Sequence, residues 1–130
     1  MILQLPLIRK WFELTKERVK PEDYREITPY WVKRFFNVKN IKNGDIDDLV
    51  EYFKNPSYYK ESEFSFFKKM NISKKPFKIN RMTLGYPKSD DRGKIIDLEH
   101  KGIEIRTGNP DWGADPDKLY FVILHGDIIE

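Results

Sequence analysis

Hydrophobic and polar positions change their period along this chain, and the changes divide it into elements. From Ile2 to Leu7 the side chains alternate, which predicts a short first strand; Pro6, with no N–H to give a ladder, favours an edge position. Leu7, Trp11, Leu14 and Arg18 then recur at helical spacing, with Lys10, Glu13, Lys16 and Glu17 on the wetter side. That pattern predicts one amphipathic helix ending before Pro21. Glu22 to Ile27 reads as a strand that places Asp23, Arg25 and Ile27 on one face. Thr28-Pro29 is a helix-start signal, a capping hydroxyl followed by proline, and Tyr30 to Phe36 supplies an aromatic helix face.

Gly44-Asp45 breaks the chain before Ile46, Leu49, Val50 and Phe53, whose spacing predicts a helix from Asp45 to Lys54. Tyr59, Phe64, Phe67 and Met70 suggest a further helical piece within Tyr58 to Met70. From Phe77 the period becomes 2: Phe77, Ile79, Arg81 and Thr83 alternate against Lys78, Asn80, Met82 and Leu84, up to a turn at Gly85-Tyr86-Pro87. Lys94 to Arg106 holds two alternating runs around Lys101-Gly102, as in a long bulged strand or two short ones. The turn-rich stretch Thr107 to Asp117 carries Trp112. Leu119 to Leu124 predicts the last main strand, with a bend at Gly126 and a closing edge segment at Ile128-Ile129. The strands are too few, and too irregularly spaced by helices, for a layered α/β fold. The expected class is α+β, a small and mostly antiparallel β-barrel with flanking helices and a helical, aromatic-rich insertion at about 29–72.

Composition narrows the options. At 130 residues the chain has the length of a single domain. Hydrophobic residues make up 39% and charged residues 35%, so it should fold and present a well-solvated surface. Cysteine is absent and His100 and His125 are the only histidines, which excludes disulfides and thiolate sites and argues against a histidine-rich metal centre. The expectation is a cytoplasmic protein with no metal and no cofactor. The apolar start is too short for a signal peptide, and no stretch approaches the roughly 20 apolar residues of a membrane span. Net charge is only +3, but no acidic residue lies between Glu63 and Asp90, where Lys68, Lys69, Lys74, Lys75, Lys78, Arg81 and Lys88 all fall. Such a run is either a solvated face or a binding patch for a polyanion.

One short stretch carries a resemblance. A helix followed by Lys20-x-x-Asp23-x-Arg25 at the head of a strand resembles the ASCH domain family of the PUA-like superfamily, whose motif is Gly-x-Lys-x-x-Glu-x-Arg. The chain is most similar to a bacterial and prophage variant in which the motif runs on as Tyr24 to Trp31 does here. Those relatives also carry a later Gly-Tyr, matched by Gly85-Tyr86, and a Gly-Asn-Pro-x-Trp-Gly loop, matched by Gly108 to Gly113. Two positions depart from the motif: Arg18 stands for its glycine, and Asp23, one methylene shorter, for its glutamate.

The resemblance implies a PUA-like barrel with a cleft at the motif strand, and a partner that is RNA, single-stranded nucleic acid, a nucleotide or a modified base. One branch of the family consists of small amidohydrolases that deacylate N4-acetylcytidine with the motif lysine, a threonine where Asp23 stands, and a separate glutamate. Another branch is credited with ribonuclease activity. Neither activity follows from fold alone.

Lys20 and Arg25 are therefore the expected ligand-binding cations, the arginine as a planar fork and the lysine as a mobile point charge. The competing reading of Arg25 is a local salt bridge with Asp23 or Glu26. Asp23 would act as a general base or orient Arg25. For hydrolysis, Lys20 and Asp23 would be joined by a second carboxylate, for which Glu104 is the candidate and Glu99 a weaker one, against a solvent-facing strand residue. Tyr86 and Trp112, in turn-rich segments, are the expected base-stacking aromatics, ahead of Tyr24, Tyr30 and Trp31. His100 and His125 receive no role. A protein partner docking on the aromatic insertion from Trp31 to Met70 is a third option.

Overall fold

The computed structural model describes residues 1–38, 41–55 and 62–130. They form a mixed α+β structure with a five-stranded, mainly antiparallel sheet and four α-helices. The chain divides into two compact units, residues 1–25 with 76–130 and residues 26–75.

In the first unit, β1 (Ile2–Leu7) leads into α1 (Arg9–Lys16) and then β2 (Glu22–Arg25). In the second unit, α2 (Pro29–Phe35) begins at Thr28, whose hydroxyl accepts from the Trp31 N–H, as the Thr-Pro signal predicts. It is followed by β3 (Phe36–Asn37), α3 (Asn43–Lys54), α4 (Glu63–Met70) and β4 (Ser73–Lys74), which pairs with β3. Tyr58 and Tyr59 lie outside the described residues. This unit builds its core on rings: Phe36 stacks on Phe53 at 5.1 Å and Tyr52 on Phe66 at 3.8 Å between centroids.

The chain returns to the first unit with β5 (Ile79–Leu84), β6 (Ile95–Thr107) and β7 (Leu119–Ile128). The sheet order is β1-β5-β6-β7-β2; only β1 and β5 are parallel. The expected edge position of β1 is what the structure has. β6 is one continuous strand rather than two. Its first half pairs with β5 and its second half with β7, and the register shifts between Leu98 and Gly102. Such irregularities bend a strand and increase its twist, which lets β6 serve two neighbours in turn.

At the expected bend at Gly126 β7 continues to Ile128 but is irregular: Leu98 pairs with Ile128 and His100 with His125, so β7 holds one more residue than β6 across Gly126-Asp127. Glycine there also meets a packing need, because a Cβ would lie 2.6 Å from the Lys101 side chain and 2.9 Å from Glu99 Cβ.

Register assigns the faces, since directly paired residues share one. Leu3, Leu5, Met82, Leu98, Phe121 and Ile123 form the buried inner face. Asp23 pairs with Ile123 and Arg25 with Phe121, so both motif side chains lie on this inner face, while Glu22 and Tyr24 lie on the other. The sheet is also curled. Flat, its two edges would stand roughly 19 Å apart, beyond the reach of one side chain. Yet Arg25 on one edge strand donates from Nη2 to the Pro6 carbonyl on the other at 2.8 Å.

Candidate functional site

The local fold of α1 aims Lys20. The helix ends in a Schellman turn: Arg18 N–H donates to Thr15 O at 3.1 Å and Val19 N–H to Leu14 O at 3.0 Å. Lys20 N–H shares that Leu14 carbonyl at 3.1 Å. The turn requires a left-handed residue after the helix, and Arg18 supplies it with φ of 64°. The arginine thus adopts the backbone conformation that a glycine at this motif position would take without cost.

Lys20 is 2% exposed and Asp23 3% exposed. Lys20 Nζ donates to Asp23 Oδ1 at 3.1 Å, and Arg25 Nε donates to Asp23 Oδ2 at 2.7 Å, so one carboxylate is shared by two cations. Burial alone would push the Asp23 carboxyl up. The charges of Arg25 and Lys20, with the hydrogen bonds both donate, outweigh burial and hold it below the usual carboxylate range. Lys20 Nζ also lies 5.9 Å from the Trp11 ring and 5.5 Å from the Tyr24 ring, within cation–π range of each.

A second network occupies the outer face. Arg106 grips Glu22 with Nη2 at 2.6 Å and Nη1 at 3.0 Å, and donates to Glu104 from Nε at 3.1 Å. Tyr24 OH donates to Glu22 at 2.6 Å and accepts from the Asn109 N–H at 2.9 Å. Burial and the bond to Glu22 push the Tyr24 hydroxyl up to about 12, so it is a donor at any physiological pH. The Glu22 carboxyl, which burial would raise, is held below its ordinary range by Arg106 and Tyr24.

The 107–117 loop packs over these side chains. Pro110 and Asp111 start a short 3-10 turn capped by Asn109 Oδ1, which accepts from Asp111 N–H at 2.9 Å. A Cβ on Gly108 would meet the Tyr24 ring at 2.7 Å, and one on Gly113 the Trp11 ring at 2.8 Å. These two glycines let the loop backbone lie directly on the aromatics that flank Lys20.

Of the expected site residues, the structure brings Lys20, Asp23 and Arg25 into one bonded network. The local pairing of Arg25 with Asp23 is present, and the arginine reaches past it to Pro6. Trp112 sits in the loop that covers Trp11. Tyr86, 88% exposed, follows Gly85, whose N–H donates to Leu7 O beyond the β1 end of the sheet. Glu104 is exposed and bonded to Arg106 on the outer face, while Asp23 lies on the inner one. Glu99 is also spent locally, accepting from the Asp127 N–H at 3.0 Å. Within the basic run, Arg81 pairs with Asp97, and Lys74 with Glu63. A separate open groove of about 670 Å³ lies in the 26–75 unit, lined by Glu63, Phe67, Lys68, Ile72, Ser73 and Lys74. None of the expected site residues lines it.

Sequence reasoning missed an inner-face cluster. Asn80, fully buried, donates from Nδ2 to Leu124 O at 3.1 Å and to His125 Nδ1 at 2.8 Å, and accepts from His100 Nδ1 at 2.7 Å. Because Leu124 O can only accept, the amide orientation is fixed, and with it both histidine tautomers. His125 shares strand parity with Phe121 and Ile123, and that was the available signal for an inward imidazole. Burial pushes the His125 imidazole down to about 4, with Asp23 opposing and Lys20 and His100 adding to the shift.

Among the described residues no group of His, Asp and Glu is placed to hold a metal ion, and no helix is long and apolar enough to cross a membrane. No protein-family model matches the chain, and neither a curated protein nor a solved structure matches it.

Proposed function

We propose that the chain is an ASCH-type module with a PUA-like barrel, and that it binds RNA or a nucleotide, including one with a modified base, at Lys20. The observation that carries this reading is the state of the Lys20 ammonium. It is buried, flanked by the Trp11 and Tyr24 rings, and among the described residues it spends one hydrogen bond, to Asp23. An ammonium has three donors. A buried cation with donors to spare suits a ligand that brings its own acceptors, such as a base edge or a phosphate. Arg25 supports the site by holding Asp23 in line rather than by reaching the ligand with its own fork. Trp112 and Tyr86, at turns, are the aromatics offered to a base.

The binding reading is preferred to a hydrolase or ribonuclease. The second carboxylate that the sequence offered to an enzyme as a candidate, Glu104, is bonded to Arg106 on the face opposite Asp23, which leaves Lys20 and Asp23 without it.

The test is filter binding of a mixed-sequence single-stranded RNA and of nucleoside monophosphates to the wild type and to Lys20→Met, which keeps the stem and removes the charge. The expected result is salt-dependent binding that weakens at least about tenfold in the variant. Equal binding by both proteins refutes the placement. Incubation with N4-acetylcytidine and with RNA, followed by product analysis, checks the enzymatic alternative; turnover lost in Lys20→Met would overturn the preference stated above.

A further inference from the structure

The Asn80–His100–His125 cluster is not explained by the ligand site as described so far. Asn80 Nδ2 occupies His125 Nδ1 as a donor, so the neutral ring carries its proton on Nε2. That buried Nε2–H has no acceptor in the protein among the described residues. A buried donor without a partner opposes folding, and here the ring that carries it is held in place by Asn80, itself held by His100.

His125 N–H donates to Pro21 O at 3.1 Å, one residue beyond the paired Glu22 and Leu124. Asp23 pairs with Ile123, so Asp23 and His125 are diagonal neighbours on the same inner face, a relation that places Cβ atoms about 7–8 Å apart or less. Asp23 in turn holds Lys20. Asn80 takes the Nδ1 side of the imidazole, so Nε2 lies on the side of the ring away from β5. Asp23 and Lys20 are the two charged groups that act most strongly on His125.

We infer that His125 Nε2–H is a second ligand-binding donor beside Lys20, and that the pair selects a planar carbonyl or ring-nitrogen acceptor of a nucleobase. This rests on the nucleotide-binding reading and narrows it. One ammonium and one neutral N–H match the two acceptors of a base edge better than a phosphate, whose dianion calls for more charge than this pair supplies. Asn80 and His100 are positioning residues: they fix the tautomer and touch no ligand.

Two substitutions separate the roles of the two ring nitrogens. His125→Asn retains an acceptor near the Nδ1 position and removes the Nε2 donor; His125→Gln retains a donor near Nε2. The probes are the four ribonucleosides, with inorganic phosphate as the comparison, titrated by tryptophan fluorescence and calorimetry. The expected result is nucleoside binding by the wild type, about tenfold weaker binding by His125→Asn, and His125→Gln within about threefold of wild type. Stronger response to phosphate than to any nucleoside overturns the base-edge assignment. Binding by His125→Asn equal to wild type, with Lys20→Met deficient, overturns the role of His125 and leaves the Lys20 site standing. If the wild type binds neither nucleosides nor RNA, both readings fall. A readout that needs no variant is the ring ¹⁵N spectrum of the wild type. The His125 Nε2 resonance should shift with nucleoside in step with binding, and an unmoved resonance at saturation overturns the inference even where the variants fail to fold.

Discussion

The Arg25 guanidinium on β2 hydrogen-bonds the Pro6 carbonyl on β1 at 2.8 Å, tying together the two edge strands of the sheet, while its Nε holds Asp23 at 2.7 Å. One planar fork therefore links the two edge strands and holds the Asp23 carboxylate. Arg25→Lys cannot do both, because a single ammonium lacks the fixed divergent donors. Removing one partner of a buried ion pair costs about 3–5 kcal/mol; here Lys20 still neutralises Asp23, so the expected loss is about 2–3 kcal/mol for Arg25→Met and somewhat less for Arg25→Lys. Urea unfolding measures it. A loss under 0.5 kcal/mol would show that the edge contact contributes nothing to stability.

Arg18 offers the opposite sign. A left-handed residue other than glycine is disfavoured by about 1–2 kcal/mol, and glycine returns about 0.5–1 kcal/mol of that as chain entropy. The ion pair of Arg18 with Asp127, at 3.7 Å and solvent-exposed, adds little to the arginine. Arg18→Gly is therefore expected to stabilise the protein by about 0.5–1 kcal/mol in thermal or urea unfolding, and Arg18→Val, β-branched at the same φ, to destabilise it. A destabilising Arg18→Gly would contradict the assignment of this turn.

These two residues illustrate how far the sequence was legible. Local chemistry read well: the Thr28-Pro29 helix start and the edge strand marked by Pro6 follow from capping and missing donors, and the irregularity around Lys101-Gly102 from period, which left one long strand and two short ones both open. Spacing placed Asp23 and Arg25 on one strand face and allowed their salt bridge, while the grouping of Lys20 with them was expected only from the resemblance. What escaped was everything set by pairing across distant segments. Asn80 and His125 are 45 positions apart, and only the β5-β6-β7 register brings them together. The role of Trp11 was hidden in an amphipathic helix pattern, because periodicity cannot say which face residue lies against a lysine four residues past the helix end. For Glu104 the sequence left a site carboxylate and a solvent-facing strand residue both open, because strand parity relative to Asp23 depends on the bulge in β6.

Acid should weaken the fold before ordinary carboxylates protonate. The folded His125 titrates at about 4, below the 6.5 of an unperturbed imidazole, so the folded state favours the neutral ring. Its contribution is complete above the unfolded value and is lost as pH falls from about 6.5 towards 4; between pH 7 and pH 5 the loss is about 2 kcal/mol. Asp23, held low by Arg25 and Lys20, works in the same direction but only at and below the normal carboxylate range. Unfolding free energies at pH 7 and pH 5 for the wild type and His125→Asn check this. The variant, which has no imidazole at this position, should lose most of that slope, whereas an unchanged slope would assign it to other groups.

The Gly113 contact tests whether the loop and the lysine site are one construction. Gly113 has φ of 100°, and a Cβ there would lie 2.8 Å from the Trp11 ring. Ala at this position meets both the backbone penalty and the ring, so either the loop lifts or Trp11 moves away from Lys20. Gly113→Ala should therefore destabilise by about 2 kcal/mol or more, change the tryptophan emission and, on the proposed function, weaken RNA binding as Lys20→Met does. The double variant decides the coupling. If loop and lysine act as one site, Gly113→Ala adds little further loss of affinity on a Lys20→Met background, as expected for groups in contact. Fully additive losses would mean that the loop contributes to binding by a route that does not pass through Trp11 and Lys20.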